Sequence, residues 1–564
     1  MRKFLLLALL FLSNELLLAQ KKAVIAENGI VTSAYPDASR IGVEILKKGG
    51  NAFDAMVATE FALAVCFPIA GNIGGGGFMV ARTAKGEYDV LDYREKAPLK
   101  AHEKMYLDEK GNVIGRLSQD GHLAVGVPGT VDGMIKVHQK YGSLPFKDLI
   151  QPAIDLAYKG FVLTQNEAEN LNSYREDFLR INTHTPTHIV KPEGKVWKAG
   201  DTLRQTELAK TLERIRDYGR AGFYEGLTAD LIVAEMQSPQ EPSRRGIITH
   251  EDLKNYQAVW RKPLIGYYKG HKIITMPPPS SGGIGLLQIL GMIDRYPLSR
   301  WGLRDKRTMQ VIIEAERRFY ADRAMHIADP DFYKVPLQKL LDKNYLQNRM
   351  KDFSFEKAGK SESITAGNIP ESEETTHYTI ADKWGNVVCV TTTLNGAYGS
   401  KVMVKGAGFF LNNEMDDFSI KAGFPNLYGA IGGKANAIAP QKRMLSSMTP
   451  TIVEKNGKFL FALGTPGGTT IPTSVLQVFL NVVEFEMSLQ EAMDMPRFHH
   501  QWQPDVVYVE KNGFEAKLIQ ELEQLGYRFQ TRNTIGRVNG IRKLKNGKWE
   551  GGADSRKDDT AVGY

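Results

Sequence analysis

The chain's fold is decided by the stretch Glu371-Ser372-Glu373-Glu374-Thr375-Thr376-His377-Tyr378-Thr379-Ile380-Ala381-Asp382-Lys383-Trp384-Gly385-Asn386-Val387-Val388-Cys389-Val390-Thr391-Thr392-Thr393-Leu394. Up to Glu374 the sequence is polar from Asp352 onward and reads as a linker. From His377 it turns abruptly into two β-rich runs, His377 to Asp382 and Val387 to Leu394, flanking Lys383-Trp384-Gly385-Asn386, a hairpin signal. If Lys383-Trp384-Gly385 is a three-residue loop with glycine in the left-handed position, Asp382 pairs with Asn386 and Thr375 falls opposite Thr393. A two- or four-residue loop instead places Thr393 opposite Thr376. In either register two hydroxyls meet where a strand begins at the end of a linker.

Upstream, Ala38 to Lys48 and Ala52 to Cys66 have helical patterns separated by Gly49-Gly50-Asn51, with Asn51 a suitable N-cap for the second. Asn72-Ile73-Gly74-Gly75-Gly76-Gly77-Phe78 is a glycine loop running into Met79-Val80, and Val90-Leu91 suggests a further strand. No Gly-Lys-Ser or Gly-Lys-Thr follows the glycines, which excludes a nucleotide-binding P-loop. Leu149 to Tyr158, Glu207 to Tyr218 and Met309 to Met325 are helical. The 54 glycines cluster in short runs without a repeat period, the pattern of tight backbone sites.

At 564 residues, 42% hydrophobic and 24% charged, the chain has the balance of a globular protein with a sizeable core. The net charge of +8 is spread thinly and no stretch interleaves basic and aromatic residues, so nucleic acid is not an expected partner. Arg2 and Lys3 precede an apolar run from Phe4 to Leu12, and a second apolar patch ends at Ala19-Gln20. Residues 1–20 therefore read as a signal peptide, which implies export to the periplasm or the medium. Ser13, Asn14 and Glu15 interrupt the run, which falls short of the roughly 20 apolar residues of a membrane span. No later segment is apolar enough for a stable span. Two cysteines, Cys66 and Cys389, give no disulfide framework; both read as buried small residues, and whether they pair is open.

A Thr-Thr pair at a strand start ordinarily reflects β-propensity. Here separated segments in order single it out: Gly49-Gly50-Asn51-Ala52-Phe53-Asp54-Ala55, the glycine loop 72–79, Asp92-Tyr93-Arg94-Glu95-Lys96-Ala97-Pro98, Gly126-Val127-Pro128-Gly129, Pro277-Pro278-Pro279-Ser280-Ser281-Gly282-Gly283, Glu374-Thr375-Thr376-His377-Tyr378 and Asp554-Ser555-Arg556. Together they resemble the gamma-glutamyltranspeptidases, a family of N-terminal-nucleophile hydrolases, over almost the whole chain. The resemblance implies an α/β fold, the four-layer αββα sandwich, and self-cleavage between Glu374 and Thr375. A large piece, residues 21–374, and a small catalytic piece, 375–564, would then stay together as a heterodimer around one core. Cleavage creates the catalyst: a threonine hydroxyl is a weak nucleophile that needs a base, and the freed α-amine, titrating near 7.7–8.0, supplies one.

The same resemblance assigns the site. Thr375 is nucleophile and amine base, Thr393 orients it, and the amides of Gly467 and Gly468 form the oxyanion hole, where glycine lets the main chain approach a developing charge. Arg94 grips the α-carboxylate of a gamma-glutamyl group, with Ser446 and Ser447 adding hydroxyl donors. Glu414 and Asp417, helped by Asn395, accept from the α-ammonium; many bacterial members carry glutamine where Glu414 stands. Pro425 to Lys442 matches a lid loop, with Tyr428 closing on the pocket. Implied substrates are glutathione and related gamma-glutamyl amides, with water, amino acids or peptides as acceptors, and no cofactor or metal. The competing expectations are a sister acylase acting on glutaryl side chains, and a non-enzymatic binding protein on a decayed scaffold. Glutaryl has no ammonium for Asp417, and no expected site residue is missing.

Overall fold

The computed structural model describes residues 21–361 and 375–564. Expectations for the signal peptide and for Glu374 fall outside those residues.

Two seven-stranded antiparallel sheets stack face to face. The first runs Thr560–Gly563, Ile30–Ser33, Thr376–Ala381, Val387–Thr393, Gly76–Arg82, Tyr88–Asp92 and Val259–Arg261 from edge to edge. The second runs Val24–Ala26, Trp549–Ala553, Asn539–Lys543, Lys458–Gly464, Thr451–Lys455, His271–Thr275 and Leu264–Tyr268. Phe78, Val80, Val387 and Cys389 of the first sheet meet Ile274, Ile452, Ala462 and Ile541 of the second in one buried layer. The opposite face of the first sheet, through Tyr378, Ile380, Val388 and Val390, packs on helices that include Pro36–Lys47, Ala52–Cys66 and Phe146–Lys159. Helices Gly282–Ile293, Lys306–His326 and Ile471–Val483 cover the second sheet. The order helix, sheet, sheet, helix is the expected αββα sandwich. Because the two central strands are covered on both faces, each residue of Thr376–Ala381 and Val387–Thr393 is buried, which is why they read as β-rich runs with little polar alternation.

The hairpin has the three-residue register. Thr376 pairs with Thr392 and Ala381 with Val387, Asp382 donates its N–H to the Asn386 carbonyl, and Gly385 has φ +95°. Asp382 fixes the turn by accepting from the backbone amides of Trp384 and Asn386. The strand side-chain alternation then puts Thr375, His377 and Thr379 on the face between the sheets, together with Thr391 and Thr393.

Helix Ala52–Cys66 starts as expected at Asn51, whose side chain accepts from the amides of Phe53 and Asp54 while Asp54 accepts from Asn51 N–H. The first helix starts earlier than Ala38, at Pro36, since proline suits the first helical position. The glycine loop is a packing device. A Cβ at Gly74 would stand 2.1 Å from the Phe410 carbonyl oxygen, and one at Gly75 2.1 Å from that of Thr393. Close approach here locks the end of the nucleophile hairpin. Cys66 and Cys389 are both free and buried, one among the outer helices and the other between the sheets. No helix among the described residues is long and apolar enough to cross a membrane.

Candidate active site

At the open end of the hairpin, Thr375 Oγ1 lies 3.3 Å from Thr393 Oγ1. Thr393 Oγ1 also accepts the backbone N–H of Asn395 at 2.8 Å, which fixes the hydroxyl's position beside Thr375. Asn72, from the glycine-loop segment, donates to the carbonyl of Thr393 and to the hydroxyl of Thr392, holding the second strand in place.

Both threonines open onto a pocket of about 310 Å³ whose walls include Arg94, Asn395, Asp417, Tyr428, Ser446, Ser447 and Gly468. These seven residues come from six separate points of the chain's last five-sixths, and all of them were expected from the sequence. Glu414 and Gly467 stand just behind the wall. Glu414 is fully buried against Arg94, with its carboxylate 2.7 Å from the guanidinium.

Arg94 follows the strand Tyr88–Asp92, and Asp92 accepts its backbone N–H. Its guanidinium is occupied: it donates to Asp417 and to the carbonyls of Met444 and Leu445, and it pairs with Glu414. Glu95 lies 3.7 Å away. Three carboxyls thus crowd one cation in a buried place. Burial pushes Glu95 up to about 8 and Glu414 well above the usual carboxylate range, against the opposing pull of Arg94. Of the acids around Arg94, Asp417 is the one that lines the pocket.

The adjacent aspartates divide their work. Asp416 accepts from Ser118 Oγ at 2.6 Å and from Leu427 N–H at 2.6 Å, tying the lid loop to its base, while Asp417 accepts from Asn426 Nδ2 at 2.9 Å and faces the pocket. Tyr428, buried on that loop, donates its hydroxyl to the carbonyl of Asn395. Its ring lies against Gly468, where a Cβ would meet it at 2.3 Å. Gly467 and Gly468 have φ +137° and +53° and lead directly into helix Ile471–Val483. Backbone amides at the start of a helix, with its dipole behind them, suit a developing oxyanion.

Ser446 and Ser447 sit in a segment held by the proline-rich motif. Ser281 N–H and Oγ both donate to the Ser446 carbonyl at 2.8 Å, and Ser280 Oγ donates to the Met448 carbonyl at 2.6 Å. Sequence reasoning missed Arg323, Asn426 and Thr469, which also line the pocket. The sequence alone does not single out Arg323: Glu314, Glu316, Arg317, Arg318, Asp322 and Arg323 give its helix the look of an ordinary charged one, and only in the fold are these six buried. Charges at such density inside a core must face one another or a ligand.

A threonine that heads a central strand of an αββα sandwich, beside a second hydroxyl and a glycine amide pair, defines the N-terminal-nucleophile hydrolases. A family model described as gamma-glutamyltranspeptidase matches residues 38–564. The chain is 44% identical over 542 residues to a glutathione hydrolase proenzyme of Escherichia coli strain K12, covering 96% of this chain and 92% of the relative. It is 46% identical over 512 residues to another of Pseudomonas sp. strain A14, covering 91% and 88%. Among solved structures it resembles a cephalosporin acylase from Bacillus halodurans, with a TM-score of 0.84 at 27% identity over 97% of each chain. The chain belongs to the gamma-glutamyltranspeptidase family, and it is an enzyme.

Proposed function

We propose that the protein is a glutathione hydrolase and gamma-glutamyltransferase that matures by cutting itself before Thr375. In the precursor, the Thr375 hydroxyl adds to the Glu374 carbonyl carbon, the amide C–N bond breaks as the nitrogen takes up a proton, and an ester links Glu374 to Thr375 Oγ1. Water then cleaves the ester, leaving a carboxylate on Glu374 and a free amine on Thr375. Residues 21–374 and 375–564 stay together after the cut because each sheet contains strands from both pieces.

In the mature enzyme the α-amine takes the proton of Thr375 Oγ1 as the oxygen attacks the gamma-carbonyl carbon. The amides of Gly467 and Gly468 receive the oxyanion. Collapse expels the amine of the leaving peptide, which takes the proton, and leaves a gamma-glutamyl ester on Thr375. Water releases glutamate, or the amine of an amino acid or peptide forms a new gamma-glutamyl amide. Asp417, with Asn395 and Glu414, takes the donor's α-ammonium. Arg94, Ser446 and Ser447 take its α-carboxylate, and Tyr428 closes the pocket. An arriving ammonium competes with Arg94 for Asp417, which frees the guanidinium for the carboxylate.

The observation that carries this reading is the shared pocket: the Thr375–Thr393 hydroxyl pair opens onto Asp417 as well as Arg94, Ser446 and Ser447. An anion site alone would suit a glutaryl acylase equally; an acceptor beside it suits an amino acid. The test is incubation of purified protein with glutathione, with and without a dipeptide acceptor, measuring free glutamate and gamma-glutamyl peptide. Release of neither product would reject the proposal. The leading segment, residues 1–20, supports export, which an antibody assay on periplasm and medium would check.

A further inference from the structure

Arg323 lines the same pocket, on helix Lys306–His326 of the larger piece, and its environment differs from that of Arg94 in one respect. Arg94 is ringed by acids. Arg323 is only 7% exposed, yet among the described residues no carboxylate lies within ion-pairing distance of it. Its protein partners are two hydroxyls: Nε donates to Ser281 Oγ at 3.0 Å and Nη2 to Ser447 Oγ at 3.3 Å. A guanidinium carries five N–H donors and no acceptor, so these contacts use two donors and leave the charge without a carboxylate in direct contact among the described residues. Burying such a charge is costly unless an anion visits it. Burial accordingly pulls its proton affinity down, with only Tyr320 and Asp417 opposing, whereas its acids push that of Arg94 up.

The contact with Ser447 also has a direction. Because arginine only donates, it must occupy a lone pair of Ser447 Oγ, and the serine proton is then turned elsewhere. No protein acceptor among the described residues takes that proton, and Ser447 opens into the pocket. The second contact reaches the neighbouring serine: Ser281 Oγ accepts from Arg323 and passes its own proton to the Ser446 carbonyl. One side chain thus orients both halves of the serine pair, through a motif whose placement otherwise has no role in the chemistry.

We propose that Arg323 is a specificity-determining positioning residue of the donor pocket, which polarises Ser447 and aims its hydroxyl at the substrate's α-carboxylate while supplying the cation that Arg94, shared with acids, supplies only in part. This rests on the gamma-glutamyl reading, so the first measurement is wild-type turnover of gamma-glutamyl-p-nitroanilide. No turnover there would overturn that reading and this proposal with it.

Given turnover, Arg323→Gln is compared with wild type on two substrates: gamma-glutamyl-p-nitroanilide, and 4-aminobutyryl-p-nitroanilide, which keeps the ammonium and lacks the α-carboxylate. The expected result is a fall in kcat/KM on the order of 10- to 100-fold for the first, mostly through KM, with the second changed less than about twofold. Arg323→Lys should recover part of the loss, and in a Ser447→Ala background the Gln substitution should cost much less. Equal losses on both substrates would mean that Arg323 merely supports the fold and would overturn the proposal. A loss confined to glutathione, sparing the anilide, would assign Arg323 to the leaving peptide's carboxylate and overturn it equally. If Arg323→Gln does not mature into two fragments, Arg323→Lys, which keeps the charge but not the fork, is put through the same pair of substrates, with the same outcomes deciding.

Discussion

Thr375 and Thr393 face each other across an antiparallel pair, their hydroxyl oxygens 3.3 Å apart, at the end of the hairpin opposite the Gly385 turn. Strand register alone brings them together. The turn at Gly385 counts the residues, and the alternation of side chains aims both hydroxyls into the space between the sheets. A nucleophile placed this way can be both the scissile residue of a precursor and the catalyst of the product.

Thr375→Ala should therefore remain a single chain, since alanine has no oxygen to receive the acyl group. Denaturing electrophoresis of the purified variant shows the result, and N-terminal sequencing of the smaller wild-type fragment should begin at Thr375. Any other first residue would mean that the cut and the catalytic threonine had been assigned to the wrong bond.

Asp417→Asn keeps the shape of the side chain and its hydrogen bond from Asn426 but removes the charge offered to the donor's ammonium. A buried charge left without its partner costs about 2–5 kcal/mol, or roughly 30- to several-thousand-fold in kcat/KM on gamma-glutamyl anilides. Glutaryl anilide, which has no ammonium, should be spared or improved. A variant that matures normally and keeps wild-type efficiency on the gamma-glutamyl substrate would remove Asp417 from the ammonium site.

Gly468→Ala should be more damaging than a single methyl suggests. The residue has φ +53°, and its Cβ would stand 2.3 Å from the Tyr428 ring. Either the oxyanion amide or the lid must move. The expected effect is on the order of 10²-fold in kcat, comparable to losing an oxyanion donor, with maturation and melting temperature much less affected. Activity within about twofold of wild type would show that Tyr428 yields freely and that the amide is not needed where it stands.

The sandwich was legible because the hairpin, the capped helix at Asn51 and the glycine loop each follow from local rules, and the register was legible because the turn type counts residues. The site was legible chiefly through resemblance: Arg94, Asp417, Ser447 and Gly468 come from distant points of the chain, and nothing local in the sequence brings them together. Arg323 escaped both routes. Its helix looks like an ordinary charged helix, and only the packed structure turns that residue inward and leaves it facing hydroxyls instead of acids. The occupied state of Arg94 was equally hidden, since the neighbours that neutralise it, Glu414 and Asp417, lie more than three hundred residues away.

A last prediction concerns Glu60, buried in helix Ala52–Cys66 beneath the nucleophile strand. Tyr378, three residues after Thr375, donates its hydroxyl to Glu60 Oε2 at 2.7 Å, while Oε1 has no hydrogen-bond partner. Burial dominates and pushes the carboxyl up to about 7, although the hydrogen bond from Tyr378 pulls the other way. The folded protein therefore holds a proton on Glu60 that the unfolded chain gives up near its ordinary value of about 4.5. Between these values the native state binds more protons, so stability falls as pH rises from about 4.5 to about 7, and the full cost, on the order of 3 kcal/mol, applies above that range. Glu60→Gln keeps an acceptor for Tyr378 and removes the titration. Its melting temperature relative to wild type should rise steadily between pH 4.5 and 7 and stay level at higher pH, with Thr375-dependent maturation intact. The check is a melting series of both proteins across that range. A constant difference at every pH would show that Glu60 does not titrate there, and a variant that is less stable at pH 8 would show that its charge is held by the fold and not opposed by it.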